Sequence, residues 1–497
     1  MRLTALALLA TTWLSACTLT PHYEQPPLPV SRSWPEDTRS SGDRAEAAQA
    51  LPEVGVLRAD QIGWHDFFTD PRLARLVEIA LQNNRNLRVA VLNVAASEAQ
   101  FRVQRGNLFP AISATGSGLA EKLAAGSGIP PGGGAGSGGP QLPASESVTV
   151  HSYSAGIGFT NYELDLFGRQ RSLTTQAFET YLAQSETRRG TQISLVAEVA
   201  SDYFAVLADE ALVKLTEDTL RSETETYELT KAMYERDTTT LLSLRQAESS
   251  VDSARASLAQ YRRQLAQDTH ALTLVLGQDI PSDLPPAPDI FTESLLAEIP
   301  AGLPSDLLTH RPDIMSAEHS LRAANANIGA ARAAFLPSIQ LTANAGTTSD
   351  QLGNLFSKGT GTWSFSPTIT LPIFTGGQNV ANLDLSHIQK RIAVAQYEQT
   401  IQTAFREVSD ALAARDTYLE QRHAQEALVA ADAEAYRLAE MRFRSGVDAY
   451  LTTLDSQRSL YAAQQGLVTV RQAELSNEVT LYKALGGGWQ QHIAPGS

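Results

Sequence analysis

The sequence predicts an α+β membrane protein in which each chain supplies four strands and long coiled-coil helices. Three observations carry that reading. One structural unit occurs twice along the 497 residues. Each copy holds two stretches that alternate apolar and polar residues. Each copy also holds a helix-forming run too long for a compact globule.

The N-terminus reads as processing signal. Arg2 gives a small positive start, Leu3 to Trp13 form an apolar run, and Leu14-Ser15-Ala16-Cys17 closes it with small residues. The run is shorter than the ~20 residues that span a bilayer, so it reads as a signal peptide over positions 1–16. Leu-x-Ala-Cys resembles the bacterial lipoprotein box, in which cleavage leaves the cysteine acylated as the first residue. Thr18 follows, in place of the aspartate that marks inner-membrane retention in the enteric pattern. A lipid on Cys17 in the outer membrane is therefore expected, opening a lipidated N-terminal segment over 17–60.

Cys17 is the only cysteine, which leaves none for disulfides or thiolate metal sites. Glu318-His319, His387 and His423 read as helix-surface residues, because no second or third ligand sits at useful spacing. No metal is expected, and no cofactor beyond the covalent lipid. The net charge of -15 argues against a nucleic-acid partner, which would need a basic stripe.

The repeat fixes the organisation. Arg105-Gly-Asn-Leu-Phe-Pro-Ala-Ile112 recurs as Arg332-Ala-Ala-Phe-Leu-Pro-Ser-Ile339, each closing a helical stretch and opening an alternating one. Proline suits that junction, since it disfavours helical geometry before it and lacks an amide donor. Leu164-Asp-Leu-Phe-Gly168 has its counterpart in Pro372-Ile-Phe-Thr-Gly376, and Leu276-Gly277 in Leu485-Gly486. The first repeat is placed at 60–285, a linker at 286–300 within the Pro-rich stretch from Pro281 to Pro304, the second repeat at 300–488, and a tail at 489–497.

Within each repeat the order reads helix, strand, strand, long helix, helix. Trp363, Phe365, Pro367, Ile369, Leu371 and Ile373 alternate with mostly small polar residues, as do Ile339, Leu341, Ala343 and Ala345. In the first repeat Tyr153, Ala155, Ile157 and Phe159 alternate. The phase then slips to Tyr162, Leu164 and Leu166, which predicts a bulge. The segment after Pro110 is weakly patterned and is read as a strand from the repeat alone. Such strands are long enough to cross an outer membrane, although the pattern also permits a soluble antiparallel sheet. The inserts from Ala124 to Pro143, with Gly132 to Gly139 inside it, and from Gly346 to Gly361 are expected to be mobile external loops.

From Arg169 to Glu235 there is no proline and a single glycine, Gly190; from Gln378 to Phe443 there is neither. At ~1.5 Å per residue each run reaches roughly 100 Å. Leu195, Val199, Phe204 and Leu207 recur at three- to five-residue steps amid polar positions, which suits a wall wet on both faces.

Four strands cannot close. An open sheet in lipid leaves two edges of unpaired backbone groups, each costing several kcal/mol. Closure takes about eight strands, so two or three chains must combine. Sequence pattern does not choose between them.

The whole chain after Cys17 resembles the TolC-like outer-membrane factors, the NodT-type efflux lipoproteins. It is particularly similar to those serving resistance-nodulation-division multidrug pumps in pseudomonads. The resemblance rests on Ile62-Gly-Trp-His-Asp-Phe-Phe68, Asn84-Arg-Asn-Leu-Arg88, Tyr162-Glu-Leu-Asp-Leu-Phe-Gly168 and Leu303-Pro-Ser-Asp-Leu-Leu308. It continues through Arg311-Pro-Asp-Ile314, Ala323 to Ala334, Leu371-Pro-Ile-Phe-Thr375 and Tyr482 to Trp489. It implies a homotrimer whose 12-stranded transmembrane β-barrel continues into a long periplasmic α-helical barrel. It also implies an inner-membrane pump and a periplasmic membrane-fusion adaptor as partners, outer-membrane lipid around the barrel, and passive conduction of antibiotics and other toxic solutes.

Other classes remain on the residues alone: a ligand-binding module, or a helical adhesin or phage receptor. An enzyme is disfavoured, because Ser, His and Asp never form a catalytic constellation.

The gate is expected at the helix-hairpin turns near Arg236–Thr240 and Arg444–Asp448. Gly446 suits a left-handed turn. Asp237 stands where the family commonly carries glycine, so the first turn is expected to differ. Leu451, Asp455 and Arg458 share one helical face, with Arg442 just before the turn. The bland reading is an ordinary helix surface. The resemblance implies instead that Leu451 narrows the aperture while Asp455, with Arg442 or Arg458, holds the helix ends together.

Overall fold

Alternating segments need cross-strand partners, and here they find one another in a single antiparallel sheet. The computed structural model describes residues 18–31, 59, 61–124, 147–293, 295 and 311–492. Cys17, the signal segment, Gly132 to Gly139 and Leu303 to Leu308 lie outside them. The strands are β1 (Ser113–Leu123), β2 (Val148–Glu163), β3 (Ser338–Ser349) and β4 (Gly361–Thr370), in the order β1-β2-β3-β4. The β2–β3 pairing joins the two repeats.

The register slips between Phe159 and Tyr162, at the predicted bulge. Asn161 takes the slack with φ 57 and donates its amide to the Thr342 hydroxyl. Asparagine tolerates that left-handed geometry better than most residues. The insert after Gly346 differs from a plain mobile loop. β3 runs on to Ser349, and a 3₁₀ turn over Leu352–Asn354 follows. Leu355 is buried there, and the Thr360 hydroxyl donates to its carbonyl at 2.9 Å. One apolar side chain and its local hydrogen bonds suffice to cap this hairpin.

The helices are α1 (Trp64–Phe67), α2 (Pro71–Asn83), α3 (Arg85–Gly106), α4 (Arg169–Tyr234), α5 (Leu241–Leu276), α6 (Pro312–Ala333), α7 (Gln378–Arg444) and α8 (Tyr450–Ala484). α4 begins just after Gly168 and α7 just after Gly377; α7 ends just before Gly446, whereas α4 ends before Asp237 with no proline or glycine at that turn. No helix among the described residues is long and apolar enough to cross a membrane.

The contacts divide the chain into two units. One comprises Met1–Glu24, Ser97–Tyr181 and Ser320–Ala393, and it holds the sheet. At its strand–helix junction Arg169 forks onto both Glu163 oxygens at 2.9 and 2.5 Å, and Asp165 accepts the Arg171 amide at 2.9 Å. These charge-assisted bonds fix the exit of β2 and satisfy an orphan amide of α4. The segment after Cys17 is strapped down in the same unit. Asn325 donates to the Pro21 carbonyl, Thr20 meets Ser172, and Arg322 lies over the Tyr23 ring.

The other unit comprises Gln25–Ala96, Leu182–His319 and Val394–Ser497. Its core joins α1, α2, α4, α5, α7 and α8 around Phe67, Tyr203, Phe204, Leu272, Tyr397 and Tyr482. Phe67 stacks on Tyr482 at 4.1 Å, and the Tyr482 hydroxyl donates to the Ile62 carbonyl at 2.6 Å. Asp70 accepts from the Arg72 amide at the start of α2 and from the buried Tyr203 hydroxyl. One carboxylate thus caps a helix and satisfies a core phenol.

Candidate functional site: the two-faced sheet and the hairpin turns

The register sorts the strands into two chemically distinct faces. Ile157 stands beside Ala345 and Ala345 beside Trp363; Phe159, Ala343 and Phe365 form the next row. Leu341 with Pro367 and Ile339 with Ile369 continue the same face. The alternate positions are Gln340, Thr342 and Asn344 against Thr368, Ser366 and Ser364. The apolar face is bare: Trp363 is 81% exposed and Ile369 68%. So many exposed apolar groups on one sheet face would be costly in water and suit contact with lipid. The polar face suits an aqueous lumen. Gly158 and Gly346 occupy the polar face where β2 and β3 approach closely, and a Cβ at either would strike a carbonyl oxygen of the neighbouring strand. Glycine is what permits that close approach.

The second region is the pair of hairpin turns. α4 ends with the Thr238 amide donating to Met233 and the Asp237 amide to Tyr234, both at 2.9 Å. α7 ends identically, Val447 donating to Arg442 and Gly446 to Phe443. Both are Schellman motifs, with Asp237 at φ 55 and Gly446 at φ 72. The first turn therefore adopts the same geometry as the second, against the expectation that aspartate would alter it. The two carbonyls that close each motif outweigh the modest strain of a left-handed aspartate. Beneath the turns Ala247, Phe443, Tyr450 and Leu454 make a small separate core.

Leu451 and Asp455 are exposed on α8, as is Arg458. Among the described residues Asp455 makes no hydrogen bond or ion pair within the chain. Arg442 does have a partner there, one that sequence reasoning missed. Its guanidinium forks onto Asp448 at 2.6 and 2.9 Å, bracketing Gly446. The pair holds the Asp448 carboxyl below its usual range. Spacing around a glycine turn was the available signal: two opposite charges six apart meet only if the chain reverses between them.

Arg458 faces a second missed residue. Glu223 on α4 is buried, with one carboxylate oxygen unpartnered among the described residues. Burial pushes its carboxyl up to about 7, and the Arg458 charge works against that rise. Asp202, also on α4, is raised to about 6 by burial and then by Glu198 and Asp268. A polar helix stretch in sequence gives no sign of which acid its neighbours will cover.

A four-stranded, two-faced sheet with open edges, carried in one chain with paired helical hairpins, defines a protomer of an outer-membrane channel. The family model for outer membrane efflux proteins matches residues 76–278 and 303–487, and the chain belongs to that family. It is 51% identical to the antibiotic efflux pump outer membrane protein ArpC of Pseudomonas putida, over 96% of this chain and 94% of that protein. The same figures hold for the toluene efflux pump outer membrane protein TtgC, also of Pseudomonas putida. The open-state outer-membrane channel MtrE of Neisseria gonorrhoeae aligns with a TM-score of 0.83 and 38% identity, covering 96% of this chain and all of that one. The chain is accordingly a non-catalytic conduit. It conducts solutes out of the cell within a tripartite efflux system driven by a resistance-nodulation-division pump. It lies in the outer membrane with a substantial periplasmic extension.

Proposed function

We propose that three copies close a twelve-stranded barrel and that the duct carries antibiotics, toluene-like solvents and other toxic solutes, contributing to multidrug resistance. The carrying observation is the sheet itself: an apolar face, a polar face and two unpaired edges per chain. The substrate classes follow the relatives named for antibiotic and toluene efflux. A periplasmic membrane-fusion adaptor and an inner-membrane pump deliver the solutes, and a lipid on Cys17 adds an anchor to the barrel.

The resting gate is proposed at Leu451, which narrows the aperture. Asp455, with Arg442 or Arg458, holds the helix ends together. The exposure of Leu451 and the lack of an intrachain partner for Asp455 among the described residues support that role.

The test is complementation. The chain, supplied to a strain that has a related pump and adaptor but lacks its own outer-membrane channel, should restore resistance to antibiotics and toluene. The purified protein should run as a trimer in detergent and conduct in planar bilayers. A monomer without conductance would sink the proposal. Radiolabelled palmitate should enter the wild type and be lost from Cys17→Ser, with the trimer retained.

A further inference from the structure

His65 and His492 lie 427 positions apart in sequence, yet the fold brings their rings to 4.8 Å between centroids. The His492 Nδ1 is also 3.6 Å from an Asp66 carboxylate oxygen. One ligand atom from each of His65, Asp66 and His492 falls within 4.8 Å of the others. Sequence spacing concealed this cluster, because one member comes from the chain's last described turn.

The placement of His492 is set by backbone. The Trp64 amide donates to the Gln490 carbonyl at 2.9 Å and the His65 amide to Gln491 at 3.1 Å. Gln192 holds the Trp489 carbonyl at 3.0 Å, while Arg189 lies 4.8 Å over the Trp489 ring. Gly63 permits the approach: a Cβ there would come within 2.5 Å of His492 Cα. The C-terminal segment is thus pinned from two sides, and its histidine projects where α1 projects a second histidine and a carboxylate.

We propose that His65, Asp66 and His492 bind a divalent transition metal of the zinc class, stapling the C-terminal segment to α1. Two imidazoles and a carboxylate suit borderline cations such as Zn²⁺, Ni²⁺ and Cu²⁺, and exclude the all-oxygen preference of Ca²⁺ and Mg²⁺. Ligands at ~2.0–2.2 Å from a tetrahedral ion stand closer together than these atoms do. The two exposed histidines and the half-buried Asp66 close that gap by rotation about their own bonds, with the backbone already in place. Three protein ligands leave a fourth position for water. Metal bound here selects the docked segment and raises its stability by mass action.

The experiment uses the full-length, tag-free trimer in detergent, stripped with chelator and titrated calorimetrically with ZnCl₂. One saturable zinc per chain is expected. His65→Gln and His492→Gln should each lose it, while His387→Gln keeps it. Absence of saturable uptake by the wild type, or unchanged isotherms in both site variants, overturns the proposal. Should a variant fail to assemble, wild-type protein loaded with one Cu²⁺ per chain decides by electron paramagnetic resonance. Nitrogen splitting from two imidazoles supports the site, and an oxygen-only spectrum overturns it. Neither readout depends on conduction, so failure here is distinct from failure of the channel reading.

Discussion

Arg442 grips Asp448 with two hydrogen bonds across the turn that Gly446 makes, so one ion pair ties the last turn of α7 to the approach to α8. The fork geometry gives direction as well as charge attraction. Arg442 is therefore committed within its own hairpin before any neighbouring protomer is considered. Asp448→Asn weakens the grip and frees the guanidinium. We expect single-channel conductance of the assembled trimer to rise, with wild type and variant converging at high salt as the pair is screened. Equal conductance at low salt would show that the turn holds without its clip.

Asp237 offers a test of strain in the other turn. Its left-handed backbone costs more than glycine's, and its charge sits at the negative end of the α4 dipole. Both terms disappear in Asp237→Gly, partly offset by the greater unfolded-state entropy of glycine. A local gain of roughly 0.5–1 kcal/mol is expected. Hydrogen exchange of the Thr238 amide should slow correspondingly, and faster exchange would mean that the aspartate makes a stabilising contact.

Much of this architecture is legible in the residues. Absence of proline lets α4 and α7 run unbroken, and Gly446 marks where α7 stops, whereas α4 stops before Asp237, where neither proline nor glycine signals the end. The phase change at Phe159 and Tyr162 exposes the bulge, since a single extra residue flips every later side chain. β1 is different: its Ala, Gly, Ser and Thr carry little pattern, and only the repeat reveals it. The contacts between distant segments were invisible. Nothing near Tyr482 announces that its hydroxyl serves Ile62, nor does Glu223 look unlike its solvated neighbours. Such pairings depend on how helices pack, which periodicity constrains without specifying.

Glu223 makes that packing pH-sensitive. Its folded value of about 7 stands above the ordinary 4.5, so the folded chain holds a proton that the unfolded chain has released. This contribution to stability is complete below about pH 4.5 and is lost as pH rises through about 7. The full loss is roughly 3–4 kcal/mol, since the rise from 4.5 to about 7 spans about 2.5 tenfold changes in proton affinity at ~1.4 kcal/mol each. Glu223→Gln keeps the shape without the charge and should flatten that part of the denaturation midpoint between pH 5 and 8. Asp202 titrates lower in the same window and remains in the variant, so a residual slope is expected. A profile identical to wild type would show that Arg458 already neutralises the buried carboxylate.

The most demanding test concerns the two faces of β4. Phe365 and Ser366 are neighbours in sequence, and both are exposed in one chain, yet their side chains stand on opposite faces of the pleat. If the apolar face meets lipid, Phe365→Arg places a charge in hydrocarbon and costs roughly 2–4 kcal/mol near the midplane. Three copies multiply that cost within one barrel. Ser366→Arg, on the polar face, adds a cation to water and leaves folding nearly untouched. It should, however, shift the anion-to-cation permeability ratio toward anions, because a fixed positive ring favours counter-ions. Heat-modifiable mobility on gels reads the barrel, and reversal potential in a salt gradient reads the lumen. Loss of the folded band in Ser366→Arg together with a stable Phe365→Arg trimer would invert the assignment of the faces.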